Sequence, residues 1–454
     1  MTEDSEARKP RPRSASTMKV FFTTMAGNET FSIDADAQMT LSELRNAIGE
    51  FVKHDGEIIL VLGDRELRPR WDGLSLYNCG VGDGSTLSVI MRAPVQVLTA
   101  SADGIAKIWN SSTGECIQTF SGHIDGVQNV TGRHISKEVN SAMFSPDGSA
   151  VLTASDDHTA KMWNATTGMC IETFLGHTAP VSMALFSPGG TEVLTVSEED
   201  ETAQVWNTAS RKLMWRLSDP DFQLKTAVFT ADGSAVLTGS RDRTAKVWSL
   251  ATGKCTLTLC NYDNSTSWLS PVCSPDGSKV VTTSERSVCD AHIWNAVTGQ
   301  CVHTLPGYGC KKLVEAKFSP DGSRIITGYR NGADMILTVK IWSTATGECI
   351  TTLYTEDGIN TVCSPDGSEI FALCRDMDLA KIFDIATGKC SHILYLCDAH
   401  SFMSTAVFSP DGSKLLTGSS DHMAKIWNTA TGECMQTLAG HEGIVTSAVF
   451  YQAS

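Results

Sequence analysis

The sequence predicts a mainly-β chain in which four-stranded propeller blades follow one another behind a small α+β domain. Three observations carry this. Eight times a large aromatic is followed seven residues later by cysteine or leucine: Trp109, Trp163, Trp206, Trp248, Trp294, Trp342, Phe383 and Trp427 lead to Cys116, Cys170, Leu213, Cys255, Cys301, Cys349, Cys390 and Cys434. The mean period of about 45 residues is that of one blade. Turn sequences recur in register with it, Asn-Ser-Ser-Thr-Gly-Glu at 110–115 and Ser-Pro-Asp-Gly at 145–148, 274–277, 319–322, 364–367 and 409–412. Before residue 95 the period is absent, and one segment there has helical spacing instead.

The repeat from Leu224 shows the elements in order. Leu224–Phe229 is a short apolar run ended by a Thr-Ala-Asp-Gly turn, and Ala235–Gly239 is a second strand. After the polar turn 241–243, Thr244–Trp248 alternates; Ala-Thr-Gly turns the chain again and Cys255–Leu259 completes the set. Strands of about five residues between Gly, Pro and Asp turns argue for antiparallel sheet. In Ser-Pro-Asp-Gly, proline presets φ and glycine supplies the positive φ that follows.

These residues resemble the WD40-repeat family over 95–454. The carrying motifs are the strand-end Trp, the pairs Gly122-His123, Gly176-His177 and Gly440-His441, and an Asp six residues before the Trp in Asp103, Asp157, Asp200, Asp242 and Asp421. The family's Trp-Asp dipeptide is altered: Asn follows Trp in five repeats, Ser in two, and Phe383 precedes Asp384. The resemblance implies an eight-bladed β-propeller over 93–454, closed when the C-terminal strand 444–450 joins Val95–Ala100. Seven blades is the alternative, should the repeat around Phe383 form no sheet. The resemblance also implies buried hydrogen-bonded chains of His441, Thr99, Asp103 and Trp109, of His177, Thr195, Asp200 and Trp206, and of His400, Thr417, Asp421 and Trp427. On paper these resemble a hydrolase triad, but no oxyanion hole or exposed nucleophile accompanies them. Their expected role is structural.

Residues 1–17 are polar, with Arg8-Lys9-Pro10-Arg11-Pro12-Arg13, and read as a disordered basic tail without the apolar core of a signal peptide. The tail is either a solubilising segment or a kinase or nuclear-import target. Lys19–Thr24 and Glu29–Asp34 predict strands around a hairpin loop. Leu41, Leu44, Ala47, Ile48 and Phe51 lie at helical spacing, with Thr40 to cap and Glu43 three residues on. Ile58–Leu62 and Ser85–Arg92 predict further strands. This order, with Met18-Lys19-Val20-Phe21, Asp72-Gly73, Tyr77-Asn78 and Ser85-Thr86-Leu87, resembles ubiquitin, and implies a ubiquitin-like β-grasp domain over 18–92. Arg92 runs on into Ala93-Pro94 and a propeller strand, so conjugation through a free C-terminal tail is not expected. Ubiquitin's apolar docking patch would fall on Met25, Leu60, Ser88 and Ile90; the competing reading makes these ordinary residues of a small sheet.

A net charge of −15 over 454 residues argues against general binding to nucleic acid or anionic membranes. No apolar run reaches the roughly 20 residues of a membrane span. The repeated cysteines, one per blade, lie too far apart for disulfides and read as small buried apolar residues in a reducing cytosol or nucleus. Cys-Asp-Ala-His at 289–292 and 397–400 falls at two different repeat positions, so no metal site is expected, and no cofactor motif occurs.

Function is therefore sought on surfaces. The first-to-second and third-to-fourth strand turns are constant in length, whereas the other two connections vary and share one face, conventionally the top. The candidate contacts are Arg133, His134 and Lys137 in 124–138; Glu285 and Arg286 in 285–290; Tyr329, Arg330 and Met335 in 329–337; and Arg375 and Met377 in 375–379. Basic and amphipathic side chains on an acidic protein suit an acidic or phosphorylated peptide; drift in tolerant loops is the plainer account. The leading expectation is a non-catalytic scaffold binding one protein on the propeller and another on the small domain. A ubiquitin-pathway substrate receptor or proteasome-delivery factor is the second reading, and an enzyme on a propeller scaffold the third.

Overall fold

The computed structural model describes residues 17–24, 30–52, 57–67, 74–92, 95–124, 136–218, 224–240, 244–260, 269–284, 290–307, 312–330, 337–355, 358–374, 379–395 and 402–452. The chain divides into two compact units, Met1–Pro94 and Val95–Ser454.

In the smaller unit the strands are β1 (Thr17–Thr24), β2 (Thr30–Asp36), β3 (Glu57–Leu62), β4 (Arg65–Leu67) and β5 (Thr86–Arg92), with one helix, α1 (Leu41–Val52). They form a single sheet of order β2-β1-β5-β3-β4, parallel only between β1 and β5. The helix starts where expected. Thr40 Oγ1 accepts the Glu43 N–H at 3.2 Å and Glu43 Oε2 accepts the Thr40 N–H at 2.8 Å, a reciprocal cap. Leu41, Leu44 and Ile48 bury against Val20, Phe22, Leu60 and Leu87. Strand β4 was not anticipated; Gly63, at φ +61°, makes the two-residue turn that brings Arg65 opposite Leu62. Of the expected tail over 1–17, residues 1–16 lie outside the described residues and Thr17 begins β1; the hairpin loop 25–28 also lies outside them.

Among the described residues, the larger unit contains eight four-stranded antiparallel sheets. Numbered along the chain, sheets 1 to 7 span 139–174, 183–217, 224–260, 269–305, 312–355, 358–395 and 403–439. Sheet 8 takes its inner strand from Val445–Tyr451 and the other three from Gln96–Ser101, Ile105–Asn110 and Cys116–Ser121. Each sheet packs on the next, and sheet 8 packs on both sheet 7 and sheet 1. The second strands are mostly buried, Ala150–Ser155 at every position, and the aromatic of one sheet packs against the outer strand of its neighbour, as Trp163 does on Phe120 with ring centroids 5.9 Å apart. Apolar clusters therefore form between sheets, where both faces of every sheet are covered.

The recurring turns have local causes. After the strand-end aromatic, Asn110 Oδ1 accepts the Ser112 and Thr113 N–H groups at 2.8 and 3.1 Å. Ser343 Oγ and Asp384 Oδ1 each accept the N–H three residues on, of Thr346 and Thr387, so the altered Trp-Asp dipeptide keeps a side-chain acceptor. In Ser-Pro-Asp-Gly the Ser145 hydroxyl donates to Asp147 at 2.6 Å and accepts the Ala150 N–H at 2.9 Å. The equivalent Asp276 is held down at about 2, first by the Ser274 hydroxyl and then by Ser278. The glycine of the third-to-fourth turn recurs in seven repeats at positive φ, and Arg211 takes that conformation in the eighth, at +59°. Its guanidinium lies 3.7 Å from Glu172 of the preceding sheet.

The repeated cysteines are not buried. Cys116, Cys170, Cys255, Cys301, Cys349, Cys390 and Cys434 are all exposed. The fourth strand is the outer edge of its sheet, and a bulge at the aromatic places its first residue facing solvent. The thiol instead points along its own strand, as Cys116 does to the Gln118 carbonyl at 3.5 Å.

The repeat around Phe383 does form a sheet, and its departure from pattern is balanced. In the other sheets the indole donates to a second-strand threonine, as Trp248 does to Thr238 at 2.8 Å and Trp342 to Thr327 at 2.7 Å. In sheet 6 the register puts Ala372 at the threonine's place, opposite Lys381, and Phe383 at the tryptophan's. Donor and acceptor are lost together, which strands neither. Phe383→Trp alone is therefore expected to cost about 1–3 kcal/mol by burying an indole N–H without its acceptor, and adding Ala372→Thr should restore most of it. Urea denaturation of the four-member cycle checks this; additivity within about 0.5 kcal/mol would reject the compensation.

Candidate protein-interaction surface

One edge of the sheets carries the second-to-third and fourth-to-first connections, and hydrogen-bonded chains join the two kinds. In sheet 1 the chain is Trp163, Thr153, His123 and Asp157. Trp163 Nε1 donates to Thr153 Oγ1 at 2.9 Å, Thr153 Oγ1 and His123 Nε2 are 2.8 Å apart, and His123 Nδ1 and Asp157 Oδ2 are 2.8 Å apart. Asp157 also accepts the Ile124 N–H at 3.0 Å and both Thr159 donors. Every polar atom is satisfied if the indole donates to the hydroxyl, the hydroxyl to Nε2, and Nδ1–H to the carboxylate. Burial alone would raise the Asp157 carboxyl; the hydrogen bond from His123, aided by those from Thr159 and Ile124, overcomes this and holds it at about 2. Asp103 and Asp200 are lowered in the same way by His441 and His177.

The sequence-nominated chains stand as follows. Trp109 donates to Thr99 at 2.8 Å, Thr99 meets His441 at 2.8 Å, and His441 meets Asp103 at 2.9 Å. Trp206, Thr195, His177 and Asp200 are linked at 3.1, 2.9 and 2.9 Å. Trp427 donates to Thr417 at 3.0 Å, while Asp421 takes the Ser419 hydroxyl and the Met423 N–H; His400 lies outside the described residues. The chain through His123 was overlooked as a unit, although Gly122-His123, Asp157 and Trp163 all stand in the motif. The threonines cannot serve as nucleophiles: Thr99, Thr153 and Thr195 are at most 1% exposed, and each hydroxyl oxygen already accepts an indole N–H. Among the described residues no cluster of His, Cys, Asp and Glu is placed to hold a metal, and no helix is long and apolar enough to cross a membrane.

Arg133, His134, Glu285, Arg286, Met335, Arg375, Met377 and Met25 lie outside the described residues. Lys137 is half-buried before the inner strand of sheet 1, its methylenes over the Gly104 turn. Arg330 ends a strand, paired with Lys312 and Leu337. Two nominations are corrected. Tyr329 is not on a loop; it lies within the strand Arg324–Arg330, fully buried with Leu313, Ile325 and Trp342, because the second strand extends two residues beyond its expected end. Leu60 is not on a docking patch; it faces α1 in the core with no exposure. A one-residue shift in a strand exchanges faces, and Ile59, directly opposite Ile90, occupies the face assigned to Leu60. Ser88 and Ile90 are half-buried on that face.

Polar ties that the sequence did not reveal cross between sheets. On the outer rim, Gln118 donates to the Thr166 carbonyl at 2.8 Å, Trp215 to Leu250 at 2.8 Å, His303 Nε2 lies 3.0 Å from the Ala345 carbonyl, and Gln436 donates to Ser112 at 2.7 Å. Each donor is the third residue of a fourth strand reaching the next sheet's turn. Along the inner strands, Asn140 donates to the Val181 carbonyl at 3.0 Å, Thr446 to Val139 and Ser404 to Val445. Repeat position was the available signal, but residue type varies too much there for a motif.

The WD domain, G-beta repeat model matches residues 114–164, 168–207, 214–249, 299–343 and 388–428, so the chain carries WD40 repeats. WD repeat-containing protein 37 of Xenopus laevis is 25% identical over 307 residues, 66% of this chain and 56% of that protein. Autophagy-related protein 16 of Arabidopsis thaliana is 28% identical over 213 residues, 46% of this chain and 39% of its own length. Striatin-3 of Rattus norvegicus is 24% identical over 400 residues, 84% of this chain and 43% of its own. The chain thus spans about half the length of the curated relatives it matches. Among solved structures, the computationally designed Ika8 protein aligns with a TM-score of 0.56 at 21% identity, covering 71% of this chain and 90% of that one, which speaks to fold alone.

Proposed function

We propose that this chain is a non-catalytic protein-interaction scaffold, with an eight-bladed propeller over 93–454 and a ubiquitin-like domain over 18–92 that takes a second partner. One observation supports this most. On the edge where connection lengths vary, buried His–Asp pairs fix three neighbouring connections rigidly, the arrangement of a platform for loops rather than of a reaction centre. Arg286 and Arg375 fall in the remaining connections and Arg330 ends the second strand of sheet 5 beside another, and three such cations suit an acidic or phosphorylated peptide. The described cysteines are all free, in keeping with a cytosolic or nuclear setting. Replacing Arg286, Arg330 and Arg375 together by Ala should abolish capture from an array of acidic and phosphorylated peptides while leaving the melt unchanged. Undiminished capture removes the top-face reading.

A ubiquitin-pathway receptor is the second reading. It is favoured by the mixed five-stranded sheet of the smaller unit, crossed by one helix. Recovery of proteasome or ligase subunits with the full-length protein, lost on substituting Ile90 by Asp, would promote it.

A further inference from the structure

We infer that sheet 6, residues 358–395, is the locally opening leaf of the propeller unit, and that Glu315 of sheet 5 is the latch that keeps it closed. Around sheets 7, 8, 1 and 2, adjoining sheets are tied by inner-strand side chains, by outer-rim donors or ion pairs, and by a His–Asp pair.

The junction of sheets 5 and 6 is composed differently. The inner-strand position that donates from Asn140, Ser404 and Thr446 is Val314 in sequence, and the outer-rim position holds Thr351, shorter than the Gln118, Trp215, His303 and Gln436 of sheets 8, 2, 4 and 7. Sheet 6 also lacks the internal indole–threonine bond, having Ala372 and Phe383. In place of these ties stands a carboxylate. Glu315 Oε1 accepts the Thr361 N–H and, at 2.5 Å, the Thr361 hydroxyl. Lys317 Nζ lies 2.8 Å from Glu315 and donates to the Thr361 carbonyl at 2.7 Å. Arg324 adds one bond to the Gly367 carbonyl at 3.2 Å.

Glu315 occupies the repeat position of Ser141, whose hydroxyl accepts the Ala184 N–H of sheet 2 at a weaker 3.3 Å. An ionised acceptor strengthens such a bond roughly twofold. The serine acceptor between sheets 1 and 2 is thus matched by a carboxylate acceptor between sheets 5 and 6. Most of the polar hold on the inner strand of sheet 6 passes through Thr361, whose N–H, hydroxyl and carbonyl are all engaged. Loosening a single residue's partners should release the leaf while the rest of the unit stays folded, which is how locally cooperative units behave.

Native-state hydrogen exchange of the full chain tests this. In the unmodified protein, amides of 358–395 should exchange fastest among the eight sheets. Glu315→Gln, which keeps shape and one acceptor, should speed them about tenfold, and Glu315→Ala about a hundredfold, with sheets 1, 2, 7 and 8 unmoved. Equal protection of sheet 6 in the unmodified protein, or acceleration spread evenly over all sheets, overturns the inference. If Glu315→Ala fails to fold, Thr361→Val supplies the same reading from the other side of the latch.

Discussion

Removal of residues 443–454 is expected to lower the melting temperature by more than about 10 °C or to abolish the cooperative melt. The strand Val445–Tyr451 is the inner strand of sheet 8, paired with Gln96–Ser101 from Val445 opposite Ser101 to Tyr451 opposite Gln96. Val445 and Ala448 are buried, and Tyr451 stacks on Phe144 of sheet 1 with centroids 4.7 Å apart. The segment is tied on both sides, since Thr446 donates to Val139 in sheet 1 and Ser404 of sheet 7 donates to Val445. It leads in through Gly443, where a Cβ would sit 2.6 Å from the Asp103 amide nitrogen, so even the approach is specific. Lost backbone bonds at about 1 kcal/mol each, together with the apolar area, put the cost on the order of 5–10 kcal/mol, comparable with the whole stability of a domain. The truncated protein would also expose the Gln96–Ser101 edge, inviting association. Calorimetry of the truncated chain, with a synthetic 443–454 peptide added in trans, decides the matter. The peptide should restore the transition, and an unchanged melt without it would show that the strand closes nothing.

How much of this could be read from the sequence depends on whether a feature repeats with a fixed residue type. The Trp-to-Cys spacing, the Ser-Pro-Asp-Gly turns and the Gly-His pairs are fixed both in position and in chemistry, because positive φ, side-chain acceptors and a buried indole each admit few residues. In the repeat from Leu224 and in the two closing strands, the expected bounds therefore lie within one residue of those observed. The ties between sheets recur in position but not in type. A carbonyl at the next turn can be met by Gln118, Trp215 or His303 alike, so no motif records them. The cysteines misled for a related reason: a residue type usually buried was placed by preference rather than by asking which strand ends at the outer edge. Leu60 and Tyr329 failed on alternation, where one residue of error exchanges core for surface. The candidate top-face residues were the least legible, since variable connection length was the sole signal that nominated them.

Breaking the chain through His123 tests the platform on which those connections rest. His123→Ala is expected to cost about 2–4 kcal/mol, because it leaves the Thr153 hydroxyl and the Asp157 carboxylate without their partner in the interior. The pair His123 and Asp157 should be strongly coupled, the double Ala variant costing at least about 1 kcal/mol less than the two single changes together. Acid supplies an independent readout. The Asp157 carboxyl, ordinarily near 3.8, is held at about 2 in the folded protein. A folded value below the unfolded one means that the stabilisation is fully present above about pH 4 and drains away as pH falls toward 2. With screening taken into account the effect is about 1 kcal/mol for this residue. Asp103 and Asp200 are lowered in the same direction, so the unmodified protein should lose stability steeply across that window. His123→Ala removes the interaction that depresses Asp157, and its stability should fall less steeply between pH 4 and pH 2 than that of the unmodified chain. Urea midpoints measured at pH 6, 4 and 3 give the comparison. Parallel curves for the two proteins would mean that the carboxylate is not held by the histidine, and that the connections on this edge owe their placement to something other than the buried pairs.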